Sequence, residues 1–271
     1  MPIAPTPPTL SAVISLLDDW YPPATADEWD AVGLVWGEPS QPVSKVLLAV
    51  DPTLPVAEEA AAWGADLVVV HHPLFLKGVH GFAPTTPKGR TLSTLVSARC
   101  ALLTAHTNAD QALGGVSESL ALALGLSSLR PLVPGLTPDV GTGRAGTVEQ
   151  TTLGAFAESV AAALPATAAG IRVAGDLDRP VSSVALCGGA GDFLLDQVTA
   201  YDVYVTSDLR HHPASEFCEK GGALIDIPHW AAEWTWLPVL ARRLREAFGD
   251  TVETRVSEIV TDPWTKRIVN N

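Results

Sequence analysis

The residues of this chain best suited to chemistry are histidines and carboxylates near the ends of predicted elements. His71 and His72 stand in succession directly after an apolar run, residues 66–70, that predicts a β-strand. His229 and Glu233 lie four residues apart at the start of a tryptophan-rich stretch that predicts a helix. Neutral imidazole and carboxylate are the ligand types that borderline divalent metals prefer. We therefore interpret the chain first as a metal protein, with more than one metal ion expected.

The succession of His71 and His72 limits how the two rings can act. Neighbouring residues in extended backbone point to opposite sides, so two successive histidines rarely serve one ion compactly. Each could instead bind a different ion of a close metal pair, whose ions typically lie about 3.5–4 Å apart. The alternative is a core histidine followed by a helix cap.

Two further pairs have the i, i+4 spacing that places side chains on one face of a helix. Glu233 has two oxygens and could bridge two ions while His229 binds one; the alternative is a solvent-facing, hydrogen-bonded pair. His106 and Asp110 have the same spacing. His106 could be a ligand, a donor to Asp110 or an acid–base group. We expect the ligand role least, because the other donors already serve two ions that must keep positions open for water.

An approximate internal repeat predicts which elements position these residues. The pattern strand, helix, strand, helix, strand occupies residues 43–106 and recurs at 181–229. Continuous apolar strands that alternate with helices argue for sheets covered on both faces, and open α/β sheets bind ligands at the carboxyl ends of their strands. The predicted fold is therefore α/β, with two intertwined lobes built from a duplicated α/β unit with mixed sheets.

The repeat also predicts the domain boundaries, with the metal site in the cleft between the lobes. The first lobe is expected to comprise residues 1–125 plus 222–271, and the second residues 126–221. The linker between the copies, rich in turn formers around residues 130–146, is expected to be irregular. By symmetry with the first histidine pair, His211 and His212 either line the same cleft or are a remnant of the duplication.

Composition and charge argue against several classes of protein. Hydrophobic residues make up 47% of the 271 residues and no apolar run reaches membrane-spanning length, which indicates a globular chain with a substantial core. Residues 1–8 contain neither a basic residue nor an apolar segment, so we expect no signal peptide, no membrane partner and a cytoplasmic location. The net charge of −13 argues against nucleic-acid binding, and neither a phosphate loop nor a serine nucleophile motif occurs.

A series of motifs covers nearly the whole chain in a defined order. They are Glu28–Leu34, His71–Gly78, His106–Asp110, Gly141–Gly146, Cys187–Gly191, Asp202–Asp208, His229–Glu233 and Thr261–Trp264. In order and spacing they resemble the dinuclear-metal-centre hexameric family labelled GTP cyclohydrolase I type 2, which is similar to a yeast transcription-factor-interacting factor. The resemblance implies a two-lobed fold, a homohexamer, and two divalent metal ions per subunit, either zinc, iron or manganese.

The resemblance also implies a ligand set and a reaction. By position, the ligands are His71, His72, Asp110, His229 and Glu233, the residues already selected from their types and spacing. The implied reaction opens the imidazole ring of GTP, releases formate and forms a dihydroneopterin triphosphate. His106 is chosen, by position only, as the catalytic proton donor to the ring nitrogen. Ala31, Ser207 and Pro228 depart from the family's usual residues, which affects the expected substrate contacts and removes no ligand.

Two other functions are compatible with the same residues. One is a different metal-dependent phosphohydrolase that acts on another small phosphorylated substrate. The other is a non-catalytic hexameric metal-binding or adaptor protein, in which the metal would serve assembly or stability.

Overall fold

A computed structural model describes residues 6–135 and 137–269 of the chain. Residues 1–5, on which the absence of a signal peptide was partly predicted, lie outside the described residues. The strands are β1 (Gly33–Trp36), β2 (Lys45–Ala49), β3 (Leu67–Val70), β4 (Ala101–Thr104), β5 (Ser127–Pro134), β6 (Gly141–Thr152), β7 (Arg172–Ala174), β8 (Pro180–Ala190), β9 (Val203–Ser207), β10 (Leu224–Asp226) and β11 (Glu253–Val256). Across the described part of the chain, no helix has both the length and the apolar character needed to cross a membrane.

The helices alternate with these strands, as the sequence pattern predicts. They are α1 (Leu10–Trp20), α2 (Leu54–Trp63), α3 (Pro87–Ser97), α4 (Thr107–Gln111), α5 (Val116–Ala123), α6 (Leu153–Ala163), α7 (His211–Glu219), α8 (His229–Trp234) and α9 (Trp236–Phe248). Short 3-10 helices occupy Pro23–Thr25, Asp192–Gln197 and Gly249–Thr251.

The chain forms two compact units, and each of them is assembled from separate stretches. Of the described residues, the first unit contains 6–109 and Leu237–Thr261, and the second contains those of Asp110–Trp236 and 262–269. Residues 110–125, 222–236 and 262–269, which the sequence analysis assigned to the first lobe, therefore lie in the second unit. The reason is local pairing: β10 hydrogen-bonds to β9 and β7, and α5 packs on β6 and β8.

The first unit is built on a five-stranded sheet in the order β1-β4-β3-β2-β11. The strands β11, β2, β3 and β4 run parallel, and β1 lies antiparallel at the edge. The inner strands β2, β3 and β4 are largely apolar and buried because both faces of the sheet are covered there, whereas the edge strand β11 is polar and partly exposed. Leu47, Val68 and Leu102 are fully buried and pack in one core with residues of α2 and α3. This core fixes the carboxyl ends of β3 and β4, where the histidines follow.

The second unit is built on a six-stranded sheet in the order β5-β6-β8-β9-β10-β7. Here β8, β9 and β10 run parallel, and β5, β6 and β7 are antiparallel to their neighbours. Ala185, Tyr204 and Leu224 from the three parallel strands are buried together with Leu194 and Phe217. Both sheets are thus mixed, as predicted.

The topology of the two sheets confirms the predicted duplication and extends it. Each unit contains three consecutive parallel strands, β2-β3-β4 or β8-β9-β10, with an antiparallel strand beside the third. A matching side-chain contact marks the start of the middle strand. Asp66 accepts hydrogen bonds from the backbone N–H groups of Ser44 and Lys45, and Asp202 does the same for Ser182 and Ser183. The edge strands β1 and β7 belong to the repeat, although the sequence analysis did not identify them.

The expectation of an irregular linker between the copies is wrong. Most of that segment forms an antiparallel hairpin of β5 and β6, with Pro134 paired to Gly141. Proline is tolerated because β5 is an edge strand that needs no ladder hydrogen bond on its outer side. Gly141 and Gly143 lie in this hairpin with φ values of 158° and 62°. Turn-forming residue types therefore mark a bent hairpin here.

The tryptophan-rich stretch that begins at His229 forms two helices. Helix α8 ends at Trp234, Thr235 caps it, and α9 begins at Trp236. Helix α9 contacts the end of α1 in the first unit. Arg243 of α9 lies over the ring of Trp20, 4.2 Å from the ring centroid, and donates to the Tyr21 hydroxyl at 3.0 Å.

Candidate metal centre

Three histidines of the first unit converge at the carboxyl ends of β3 and β4. Strand β3 ends at Val70 and the backbone bends at the next two residues, so the rings of His71 and His72 lie on the same side, with centroids 5.1 Å apart. The ring of His106 lies 5.0 Å from His71 and 5.5 Å from His72. One ring nitrogen of each histidine lies within 4.8 Å of those of the other two. The expectation that His71 and His72 diverge fails because the extended backbone ends before them.

The other ring nitrogen of His71 and of His72 is engaged by an oxygen acceptor. Nδ1 of His71 donates to the carbonyl of Ala105 at 3.0 Å, and Nδ1 of His72 donates to Oδ1 of Asp51 at 2.7 Å. A carbonyl can only accept, so the proton of His71 resides on Nδ1. The lone pair of each ring is therefore on Nε2, which is the arrangement found in histidines that ligate metals.

His106 is held in the same way by Asp30, whose side chain is fully buried. Nδ1 of His106 donates to Oδ1 of Asp30 at 2.8 Å, while the other carboxylate oxygen accepts from the Thr107 N–H at 3.0 Å and from the Thr107 hydroxyl at 2.6 Å. Burial would raise the pKa of Asp30, but these hydrogen bonds outweigh it and lower that pKa. Asp30 is thus a carboxylate that fixes the tautomer and the orientation of His106.

The environment of His106 also keeps its ring neutral. Burial, with a further contribution from the nearby His71, lowers the pKa of His106 to about 4, and the hydrogen bond to Asp30 opposes this only in part. A neutral imidazole is the form that binds a metal or accepts a proton. The ring edge of Trp29 packs against His106 with centroids 5.8 Å apart, and Trp29 is 58% exposed.

In the second unit, His229 and Glu233 form a contact on the first turn of α8. Nε2 of His229 and Oε1 of Glu233 are 2.7 Å apart, which confirms that the pair shares one helix face. Nδ1 of His229 donates to Oδ2 of Asp208 at 2.7 Å. Burial alone would lower the pKa of His229, but the charges of Glu233 and Asp208 raise it to about 11. Imidazole and carboxylate therefore face each other here as they would around a shared cation.

Gly189 brings the backbone of β8 against this pair. Its φ of +71° is left-handed, and a Cβ atom built on it would lie 2.9 Å from Oε1 of Glu233 and 3.4 Å from Nε2 of His229. Only glycine combines this backbone conformation with so close an approach. The Glu233 side chain, 2% exposed, is thus confined by a backbone wall.

Asp110, the remaining predicted ligand, lies in α4 and belongs to the second unit. Its charge and that of Glu233 both add to the effect of burial in raising the pKa of Cys187 on β8, so both carboxylates lie close to that thiol. The buried side chain of Arg144 fixes the end of α4: its Nη2 donates to the carbonyls of Gln111 and Ala112 at 3.2 Å and 2.9 Å. Arg144 therefore positions the turn that carries Asp110.

Each predicted site residue can now be placed. The first unit brings His71, His72 and His106 together, and the second contains the His229–Glu233 pair and Asp110. His211 and His212 begin helix α7 and are both exposed. They are not the structural counterparts of the first histidine pair. His72 is the sixth residue after Asp66, and the sixth after Asp202 is Asp208.

The sequence analysis missed the three aspartates that support the histidines. Asp51 is the second residue after β2 and Asp208 is the first after β9, so their position at strand ends could have identified them. Asp30 is distant from His106 in sequence, and the sequence analysis named it only as part of the motif Glu28–Leu34. The donor chemistry of both units fits a divalent metal. In the first unit, the Nδ1 atoms of the three histidines are held by oxygen acceptors, so the Nε2 atoms can face a metal. In the second unit, a carboxylate lies beside an imidazole.

Comparison with known proteins places the chain in a family. The sequence model of the family Duf34/NIF3 (NGG1p interacting factor 3) matches residues 8–263. The chain belongs to this family. A relative from Streptomyces coelicolor, named GTP cyclohydrolase 1 type 2 homolog, is 47% identical, and the match covers 97% of this chain and 96% of the relative. A Mycobacterium tuberculosis protein of the same name is 35% identical over 94% of this chain and 96% of its own length.

Solved structures of the Duf34/NIF3 family have the same fold. A hypothetical protein of Staphylococcus aureus matches with a TM-score of 0.88 and 27% identity, covering 96% of this chain and 100% of that protein. A Bacillus cereus protein related to NIF3 matches with a TM-score of 0.87 and 25% identity, covering 95% of this chain and 99% of the other. These matches confirm the predicted α/β fold and the family resemblance.

Proposed function

We propose that this Duf34/NIF3 protein is a metal-dependent hydrolase, similar to GTP cyclohydrolase I type 2, that adds water to a small phosphorylated substrate. GTP is the first candidate substrate. The observation that carries the proposal is the convergence of His71, His72 and His106, each with one ring nitrogen within 4.8 Å of those of the other two. Three imidazoles that converge while oxygen acceptors hold their Nδ1 atoms form the arrangement of histidines that ligate a metal.

The proposed ligands of two divalent ions are the five residues selected from the sequence. They are His71, His72, Asp110, His229 and Glu233. The oriented Nε2 atoms of the first unit support His71 and His72, and the imidazole–carboxylate pair on α8 supports His229 and Glu233, while Asp110 rests on the family resemblance. Mixed nitrogen and oxygen donors suit zinc, iron and manganese alike.

A divalent metal bound to these donors would act as a Lewis acid. It would lower the pKa of a bound water, so that hydroxide is available at neutral pH. The protein's own contribution is to orient the donors and to move protons. His106 is neutral, is fixed by Asp30 and lies beside the ligands. We propose that it exchanges a proton with the substrate. Its ring nitrogen also lies within 4.8 Å of those of His71 and His72, so ligation of a metal is the competing role.

Trp29 supports a substrate that contains a ring. It is exposed beside His106 and offers an aromatic face on which a purine could stack. The net charge of −13 opposes a triphosphate unless metal ions or local cations offset it. A nucleotide therefore needs a bound metal or local cations to offset this charge.

The first test measures metal content and formate release in the same samples. Wild-type protein is compared with Glu233→Gln and His72→Gln, with His80→Gln on an exposed loop as the matched control. We expect about two metals per chain in wild type and in the control, and loss of metal and of formate release from GTP in the other variants. If the protein binds metal but releases no formate under any metal loading, the metal site stands and the cyclohydrolase assignment is refuted. Phosphate release from other substrates in that case would indicate the phosphohydrolase, and no turnover would indicate the metal-binding protein.

His106→Gln separates the two roles of that residue. If His106 exchanges a proton, the variant keeps its metal content and loses turnover. If His106 is a ligand, the metal content falls as well. Both quantities are measured on the same preparation by elemental analysis and by the formate assay.

We also propose that the chain is a cytoplasmic homohexamer without a nucleic-acid or membrane partner, as the family resemblance implies. Light scattering in solution should then give six times the chain mass of 28.4 kDa. A mass of one or two chains would contradict the hexamer without affecting the metal proposal.

A further inference from the structure

A cavity of about 360 Å³ lies beside His72 in the first unit. It is bounded by the segment after β2, the bend after β3 and the start of α3. Its polar lining comes from Asp51, Thr53, His72, Lys88, Arg90 and Thr91. The volume is in the range of small-molecule sites. The ring of His72, a proposed metal ligand, therefore faces a space large enough for part of a substrate.

Two helices begin at this cavity. Leu54, the first residue of α2, and Pro87, the first residue of α3, both line it. Neither helix has an acidic residue in its first turn. The amino end of a helix carries a partial positive charge, so both helices favour an anion in this space.

The side-chain charges of the lining have the same sign. Lys88 and Arg90 are exposed cations in the first turn of α3. Asp51 is the acidic residue of the lining, and it already accepts hydrogen bonds from Nδ1 of His72 and from the Thr261 hydroxyl. In a chain with a net charge of −13, this cavity is a local concentration of positive charge.

Thr53 supplies an independent observation. It occupies the N-cap position of α2, yet its side chain makes no capping hydrogen bond. Its Oγ1 atom is buried and, among the residues that the structure describes, has no hydrogen-bond partner. A buried hydroxyl without a partner is unfavourable. Thr53 lines the cavity, so rotation about its Cα–Cβ bond would present the hydroxyl to a phosphate oxygen there.

We propose that this cavity binds the phosphate group of a small organic phosphate. Arg90 and Lys88 neutralise the phosphate, the two helix ends orient it, and the Thr53 hydroxyl donates to it. Pro52, Leu54 and Leu74 line the apolar remainder and contact the organic part. That the organic part reacts beside His72 rests on the proposed function, whereas the anion site does not.

The test titrates phenyl phosphate, a phosphate joined to an apolar ring, into the full-length protein and follows the phosphorus NMR signal at low ionic strength. The chelator-treated and the metal-loaded protein are both measured. The variant is the double substitution Lys88→Gln/Arg90→Gln. The matched control is Arg242→Gln/Arg245→Gln, which removes the same charge from exposed positions of α9 in the same unit. Arg90→Lys keeps the charge and is measured as a second variant, in case the double variant fails to fold.

The expected result is binding to the chelator-treated wild type that weakens roughly tenfold or more in the Lys88/Arg90 variant, since each lost contact is a charged hydrogen bond. The control and Arg90→Lys should stay within about threefold of wild type. Equal weakening in the control, unchanged affinity in the variant, or no binding to wild type would overturn the proposal. Because metal content is measured separately, a protein that binds phenyl phosphate but no metal would refute the proposed function and retain this site.

Discussion

Asp30 allows the role of the histidine cluster to be tested at a residue that is not itself a proposed ligand. Replacement by asparagine preserves the shape of the side chain and removes its charge. The carboxylate accepts four hydrogen bonds, one from His106, two from Thr107 and one from the backbone N–H of Ala31. The amide has only one acceptor oxygen for them and places an NH₂ group against one donor. If His106 is a ligand, loss of this supporting carboxylate should weaken metal binding 10–100-fold, about 1.4–2.7 kcal/mol. If His106 exchanges a proton instead, turnover should fall and the zinc affinity should stay the same.

The assay is competition for zinc between the metal-free protein and a chromophoric chelator at pH 7. Asp19→Asn, an exposed substitution on α1, is the charge-matched control. Thr107→Val removes the hydroxyl donor and leaves the contact between Asp30 and His106 in place, so it should weaken zinc less than Asp30→Asn. An Asp30→Asn protein that melts cooperatively, binds zinc within about twofold of wild type and keeps its turnover would refute the reasoning. It would mean that the orientation of His106 matters neither to the metal nor to the reaction.

Three further outcomes are expected. Arg144→Met leaves the buried carbonyls that Arg144 satisfies without a donor and should cost about 3–5 kcal/mol, seen as a melting temperature lower by about 10 °C. Gly189→Ala should lower metal content by displacing Glu233, while Gly125→Ala, which has a similar positive φ of 77° and open space around it, should lower only the melting temperature. The pKa of Asp202 is lowered to about 2 because hydrogen bonds outweigh its burial, so its stabilising contribution is present above pH 3.8 and is lost as the pH falls toward 2. Acid titration of stability should therefore be flatter for Asp202→Asn, and an unchanged titration would contradict this assignment.

The strand pattern made most of the fold predictable. Apolar runs such as residues 66–70 have both faces buried, so their composition alone indicates a central strand. The edge strands β1 and β7 escaped prediction because they are short and only partly buried. The hairpin of β5 and β6 escaped it because its prolines and glycines have the same composition as a loop. Only pairing with β8, which is remote in sequence, distinguishes the two.

The site was predictable in its residue types and less so in its geometry. The i, i+4 spacing correctly placed His229 and Glu233 on one helix face. The common orientation of His71 and His72 depends on the backbone bend after Val70, and no residue type in that segment requires it. The contact of Asp30 with His106 is set by tertiary packing, which a single sequence does not encode in any local pattern.

The pairing of β11 with β2 has a consequence for biosynthesis. Strand β11 is the last strand of the chain and hydrogen-bonds to one of the first, so the sheet of the first unit stays open until Glu253–Val256 has left the ribosome. The continuous stretch Asp110–Trp236 of the second unit emerges earlier and can fold while the edge of β2 is still bare. An unpaired, apolar parallel strand is a site for aggregation, so the nascent chain carries this hazard for most of its synthesis. Slow translation of the final segment should therefore reduce the yield of native protein more than an equal delay in the middle of the chain.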